Sequence, residues 1–293
     1  MNYWNSISQH ISQSIGNDFQ INQTSSVSGG DINSAYKVSG LNSQQQTLHF
    51  FVKINSIKLS NMFQVEYESL LELSQNKLMQ IPTPICFGSS HDKAYLILEY
   101  IPMNTHGDSR LMGKALAQMH KITASQYGWS NNNFIGSTTQ SNQTHSDWLS
   151  FWRDERMIPQ FEMLYNKGYQ SYLSPAADKL LLHLETLLAN HNPAASLLHG
   201  DLWSGNYAYN ESGQPVIFDP ALYYGDRETD LAMTELFGGF DESFYTSYNE
   251  VWPLEKGYKD RKTLYNLYHI LNHANLFGTS YLNQAINMLE RLC

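Results

Sequence analysis

Basic residues, cysteine and long apolar runs are all scarce in this 293-residue chain, and each shortage removes a class of function. The 18 Lys and Arg stand against 27 Asp and Glu, a formal net charge of −9. Binding to nucleic acid by counterion release needs a basic face, so no nucleic-acid partner is expected. An acidic balance suits a cationic small substrate better. The two cysteines, Cys86 and Cys293, lie far apart and without metal-type spacing. That excludes a disulfide framework and a zinc site, and fits unpaired thiols in a reducing compartment. No stretch approaches the roughly 20 consecutive apolar residues of a membrane span. The opening MNYWNSISQHISQSIGNDFQ has neither a basic start nor a continuous apolar run. The expectation is a soluble, cytoplasmic protein with no membrane partner. Internal repeats and low-complexity linkers are lacking as well.

What is present is a globular composition, 42% hydrophobic and 13% aromatic, enough to bury a sizeable core. A strand-rich first third gives way to a helix-rich remainder. After an amphipathic opening helix, VSGGDINSAYKVSG (27–40) reads as a strand entering and leaving a Gly-Gly turn, and TLHFFVKI (47–54) as a second strand. SNMFQVEYESLLEL (60–73) reads as a helix capped by Ser60 or Asn61, with Phe63, Tyr67, Leu70 and Leu71 on one face. Glu66 falls on that face, where a carboxylate is costly unless a cation meets it. AYLILEYIPM (94–103) reads as a strand ending at Pro102, and the change in composition puts a lobe boundary near residue 100. Beyond it, 111–122, 174–190 and 263–278 read as helices, the second with Ser174 at its N-cap and Pro175 at N1, the third stopped by Gly278.

The chemistry concentrates in LLHGDLWSGN (197–206) and the segment after it. YAYNESGQPVIFDP (207–220) reads as a β-hairpin, which brings Asn206, just before it, and Asp219, just after it, to the same end. Two hard oxygen ligands beside Asp201 suit magnesium. Phosphoryl transfer needs a held metal-bound triphosphate, an acceptor hydroxyl in line and a base for its proton. Asp201 to Asn206 matches the kinase loop pattern D-x-x-x-x-N, and Asp219 stands where kinases carry their metal-binding Asp, with Pro220 and Ala221 replacing Phe and Gly. His199 reads as a brace for the loop. Lys53, in an apolar strand, and Glu66, thirteen residues later, read as the kinase lysine–glutamate pair. Gly29 and Gly30 lack the full G-x-G-x-x-G pattern, but preceding the lysine strand they read as a phosphate-covering hairpin. Glu99, Tyr100 and Ile101 lie where an interlobe connector offers backbone groups to adenine.

The tracts HGDLWSGN (199–206), FDPALYYGDRETDLAM (218–233), FVKI (51–54), MFQVE (62–66) and LNHANLFG (271–278) together resemble the fructosamine kinase family, and the resemblance spans nearly the whole chain. It implies an α+β, protein-kinase-like, two-lobed fold. Residues 1–100 form an antiparallel-sheet lobe with one key helix that holds the nucleotide, and 101–293 a larger helical lobe for catalysis and substrate. It also implies transfer of the ATP γ-phosphate, with Mg2+, to the 3-hydroxyl of a free or protein-bound ketosamine, in a deglycation or repair role. Asp201 is then the base, Asn206 and Asp219 the magnesium ligands, and Lys53 with Glu66 the phosphate clamp. Candidate acceptor contacts are Trp203, Asp226, Glu228, Trp152, Arg153 and Arg156; an ion pair of Arg227 with Asp230 is the structural alternative for that tract. Some members carry a redox-sensitive cysteine after the glycines; here Asp31 follows Gly30, so the resemblance does not extend to a disulfide switch. His269 and His273, four apart without an H-E-x-x-H pattern, read as an ordinary helical pair. Aminoglycoside and choline kinases share the looser frame and form the alternative activity. A non-catalytic, nucleotide-binding pseudokinase is disfavoured, because no catalytic polar residue is missing.

Overall fold

A computed structural model describes residues 3–28 and 32–292. Gly29, Gly30 and Asp31, expected at the phosphate-covering turn, lie outside the described residues. The chain forms two compact units, one of residues 1–108 with 207–219, the other of 109–206 with 220–293. Composition alone places a boundary near residue 100 and gives no reason to assign the 207–219 hairpin to the first unit.

The first unit is built on an antiparallel sheet of β1 (Phe19–Val27), β2 (Ser34–Asn42), β3 (Thr47–Ser56), β4 (Pro84–Ser90) and β5 (Lys93–Glu99), ordered β1-β2-β3-β5-β4. Every residue from Ala94 to Leu98 is buried, although an antiparallel strand with one wet face would alternate. Helices cover both faces. On one, α1 (Tyr3–Ile15) sets Ile7 and Ile11, one turn apart, among Val52, Ile54, Tyr95 and Ile97. On the other, α2 (Ser60–Ser74) packs against β4 and β5. Side chains alternate along a strand, so Lys53, between Val52 and Ile54 and paired with Leu96, points to the α2 side.

Two details of α2 differ from the sequence reading. Leu71 is exposed, and the buried set is Met62, Phe63, Val65, Ser69, Leu70 and Leu73. Ser60 is already helical, because a 3₁₀ turn (Ile57–Leu59) leads in, with Ser56 Oγ accepting from Lys58 N–H. The expected hairpin forms from Tyr207–Asn210 and Pro215–Ile217 and gains a third strand, Met103–Asn104. Asn210 Oδ1 closes its turn by accepting from the N–H groups of Ser212 and Gln214.

Helices dominate the second unit: α3 (Ser109–His120), α4 (Trp148–Phe151), α5 (Ile158–Leu164), α6 (Gln170–Leu187), α7 (Glu228–Leu236), α8 (Glu242–Val251), α9 (Tyr258–Phe277) and α10 (Thr279–Leu292). Pro175 lies inside α6 rather than at its start, because fully buried Leu173 draws the preceding turn into the helix. α9 ends at Gly278 as its sequence indicates, but it is buried all round from Leu264 to Asn272, with α5, α7 and α10 packed about it. Leu197 and Leu198 are core, in the strand Ala195–Leu198 between Thr123–Ala124 and Tyr223–Gly225.

The α3–α8 contact depends on the missing side chain of Gly113: a Cβ there would sit 2.2 Å from Phe244 O and from Ser247 Oγ. Alanine favours a helix interior over glycine by about 1 kcal/mol. Gly113→Ala is nevertheless expected to destabilise by roughly 1–3 kcal/mol through overpacking. A thermal melt checks this, and a midpoint at or above wild type would show that the two helices separate without cost.

Candidate active site

In the first unit the buried-carboxylate problem of α2 is resolved. Lys53 Nζ donates to Glu66 Oε1 at 2.5 Å and to Asp219 Oδ1 at 2.5 Å. Burial pushes the Lys53 pKa down, but the Asp219 and Glu66 carboxylates outweigh it and hold the ammonium protonated. Burial likewise raises Glu66, against the pull of Lys53. Asp219 differs from Glu66 in exposure: its side chain is 45% accessible, against 11%. Its φ of +57° lies in the left-handed region, which aspartate tolerates better than most residues. Two carboxylates share one ammonium, so the cluster carries a formal excess of one negative charge beside solvent. That is a setting for a hard cation bound through oxygen.

In the second unit the HGD loop is shaped by Asp230, in the first turn of α7. Its Oδ2 accepts from His199 N–H and its Oδ1 from Gly200 N–H, both at 2.8 Å, and Oδ2 also meets His120 Nε2 at 3.1 Å. Burial would raise the Asp230 pKa; the His120 partner and the loop donors overcome it and hold the carboxyl low. Gly200 takes φ +82°, and a Cβ there would meet Ala221 O at 2.0 Å, so glycine is required. His199 is fully buried, and its Nδ1 accepts from Asp201 N–H at 3.3 Å, as a brace rather than a metal ligand. The loop presents Asp201 partly to solvent, its side chain 20% accessible. Asn206 Nδ2 donates to Asp201 O at 2.8 Å and to Asp201 Oδ2 at 3.2 Å. Asp201 offers acceptors only, so the Asn206 nitrogen faces it and the amide oxygen is directed elsewhere. A partly exposed carboxylate held by a neutral amide can accept a proton from a hydroxyl.

The acceptor candidates divide. Trp203 is 38% exposed, its ring seated on Gly205, where a Cβ would lie 2.3 Å from the indole, and edge-on to Phe237. This accounts for the Trp-Ser-Gly insert. The others are occupied within the unit. Asp226 and Glu228 are each 1% exposed. Asp226 Oδ2 takes His191 Nε2 at 2.6 Å and the Tyr265 hydroxyl at 2.5 Å, while Glu228 holds Arg261 through two bonds of 2.7 Å. His191, Asp226 and Glu228 form a metal-like constellation, but the guanidinium on Glu228 and the donors on Asp226 already meet its charge. Trp152 is buried against Trp148, Tyr265 and Tyr268. Arg156 is buried, stacks on Tyr223 and donates to Ser141 O and Asn142 Oδ1. Arg153 is paired with its neighbour Asp154. An Arg227–Asp230 ion pair does not form either: Arg227 donates to the Tyr248 hydroxyl and to the carbonyls of Trp252 and Pro253. Of the connector residues, Glu99 is tied through its carboxylate to Thr83 N–H and Oγ, Ile101 is buried, and the Tyr100 ring lies under Lys37 Nζ. Asp230 and His120 escape a motif search.

Asp230→Asn turns an acceptor into a donor facing two backbone N–H groups. A loss of roughly 2–4 kcal/mol is expected, from buried groups left without partners. Denaturant unfolding checks the stability, and activity should fall with it even where the protein remains folded.

A family profile described as fructosamine kinase matches residues 3–293. A protein of Synechocystis called "Probable ketoamine kinase" is 43% identical, over 98% of this chain and 96% of its own. A chloroplastic protein-ribulosamine 3-kinase of Arabidopsis thaliana is 37% identical, over 94% and 84%. Among solved structures, a candidate fructosamine-3-kinase of Haemophilus somnus superposes with a TM-score of 0.88 at 29% identity, covering 99% of this chain and 97% of that one. An aminoglycoside phosphotransferase, at a TM-score of 0.58 and 17% identity over 98% and 97%, shares the fold alone. The architecture is α+β and protein-kinase-like, and the chain belongs to the fructosamine kinase family.

Proposed function

We propose that this protein is an ATP-dependent kinase that phosphorylates the 3-hydroxyl of ketosamines. In a chain of this family, the observation that carries the reading is the Asp201–Asn206 pair, a solvent-reaching carboxylate held by a neutral amide. Asp201 takes the proton of the acceptor hydroxyl. The freed oxygen attacks the γ-phosphorus as its bond to the bridging oxygen breaks, and ADP leaves with that bonding pair. Lys53, kept cationic by Glu66 and Asp219, meets the phosphate charge. Asn206 Oδ1 and Asp219 would hold magnesium, which when bound neutralises charge on the transferring phosphate. Glu99, Tyr100 and Ile101 would offer backbone groups to adenine, and Trp203 a flat face to the sugar. The product is unstable by its own chemistry. A 3-phosphate next to an enolisable C2 carbonyl is expelled on enolisation toward C1, and water then releases the amine, which suits a deglycation role.

Phosphorus NMR with magnesium-ATP and ribulosyl- or fructosyl-lysine is the test. A sugar-phosphate resonance and matching ADP are expected, while Asp201→Asn lowers kcat by roughly 10²–10⁴ with nucleotide affinity within a few-fold. Turnover of a free amino sugar or aminoglycoside but of neither ketosamine would overturn the acceptor. Undiminished ATP consumption by Asp201→Asn would overturn the base.

A further inference from the structure

A polar atom buried without a hydrogen bond loses its hydration and gains nothing in return, so each such atom in a folded protein calls for an explanation. His269 Nδ1 is one. It lies in the buried stretch of α9, the residue is 4% exposed, and the atom is out of water with no hydrogen-bond partner. It faces Asp201 Oδ1 at 4.0 Å, beyond hydrogen-bond distance but within reach of a carboxylate shift of about 1 Å. The ring is held by edge contact with Tyr268, and the backbone of His269 is fixed by His273 Nδ1, which donates to its carbonyl at 2.7 Å. Asp201 Oδ2 is already engaged by Asn206 Nδ2. The two carboxylate oxygens of Asp201 are thus flanked by two different side-chain nitrogens, one bonded and one waiting.

Burial, reinforced by His273, pushes the His269 pKa down to about 3, so the imidazole is neutral. That suits the neighbourhood of a base. A cation this close would stabilise the carboxylate and make it reluctant to take a proton, whereas a neutral N–H directs it at smaller cost to its basicity. Catalytic hydrogen bonds are commonly long in an empty site and tighten in the reacting complex.

We infer that His269 is a positioning residue for Asp201, its Nδ1–H closing onto Oδ1 when nucleotide and acceptor are bound and fixing the carboxylate in line with the acceptor hydroxyl. The inference rests on the reading of Asp201 as the base. His269→Phe keeps the ring and removes the donor, and His269→Asn restores an N–H near the Nδ1 position. The expected result is a kcat lower by about 10–100-fold in His269→Phe with both KM values within about threefold, as misplacing a catalytic group by an ångström costs, and recovery of most of that loss in His269→Asn. A wild-type readout that does not depend on a variant folding is NMR of 15N-histidine-labelled protein. The His269 Nδ1 proton should shift downfield on adding a non-hydrolysable ATP analogue, magnesium and a ketosamine together. Wild-type kcat in His269→Phe, a loss equal in Phe and Asn variants of wild-type stability, or an unmoved Nδ1 resonance would each overturn the inference. With Asp201→Asn inactive, any of these leaves the base reading standing, and an active Asp201→Asn would remove that reading itself.

Discussion

A single buried ammonium sets the terms for the first unit. Lys53 stands between Val52 and Ile54 in a strand covered on both faces, where burial pushes its pKa down and works against its charge. Two carboxylates outweigh that, and each imposes a constraint on the chain that brings it. Glu66 fixes which face of α2 turns to the sheet, since rotating the helix would take one of its two carboxylates away from the buried ammonium. Asp219 arrives from 166 residues downstream, by way of the hairpin, and holds a left-handed backbone conformation where it meets Lys53.

The second unit solves a similar problem with backbone rather than side-chain charge. Asp230 is fully buried, yet its carboxyl remains ionised because two consecutive loop N–H groups and a histidine converge on it. The loop gains by the same contacts. Amides that burial would leave without water are satisfied, and the turn through Gly200, which no larger residue could make, is held closed. What reaches solvent at the end of this arrangement is Asp201.

This difference explains which features could be read from the chain. Glu66 is visible because a carboxylate at the spacing of Phe63 and Leu70 demands a cation, and Lys53 lies at the right separation. The hairpin shows in its Asn-Glu-Ser-Gly turn. Asp230 does not show, because backbone amides leave no mark in a sequence. Asp226 and Glu228 mislead for a related reason: a carboxylate lining a cleft and one buried against His191, Tyr265 or Arg261 look alike in sequence, and those partners come from distant elements. Arg227 and Asp230 have the spacing of a pair, yet Arg227 finds carbonyls beyond α8 instead. The twist of α2 that exposes Leu71 depends on where the sheet lies, which periodicity does not encode.

The same partnerships bear on what the acidic composition means. A net charge of −9 invites the thought of a cationic acceptor drawn by carboxylates. The acids of the 226–230 tract, however, are internal: Asp226, Glu228 and Asp230 already face histidine, guanidinium, hydroxyl or amide donors. In the Lys53 cluster, by contrast, two carboxylates share a single cation and Asp219 reaches solvent, so there the formal excess of negative charge is local and accessible. On the proposed reading, electrostatic attraction at that point would act on the cation that accompanies a nucleotide rather than on the acceptor. On the same proposed reading, recognition of the sugar would fall to shape and to the exposed indole of Trp203, which is backed by Gly205 and Phe237 and presents a flat apolar face. Total charge and site charge are separate quantities, and the buried partners decide how one becomes the other.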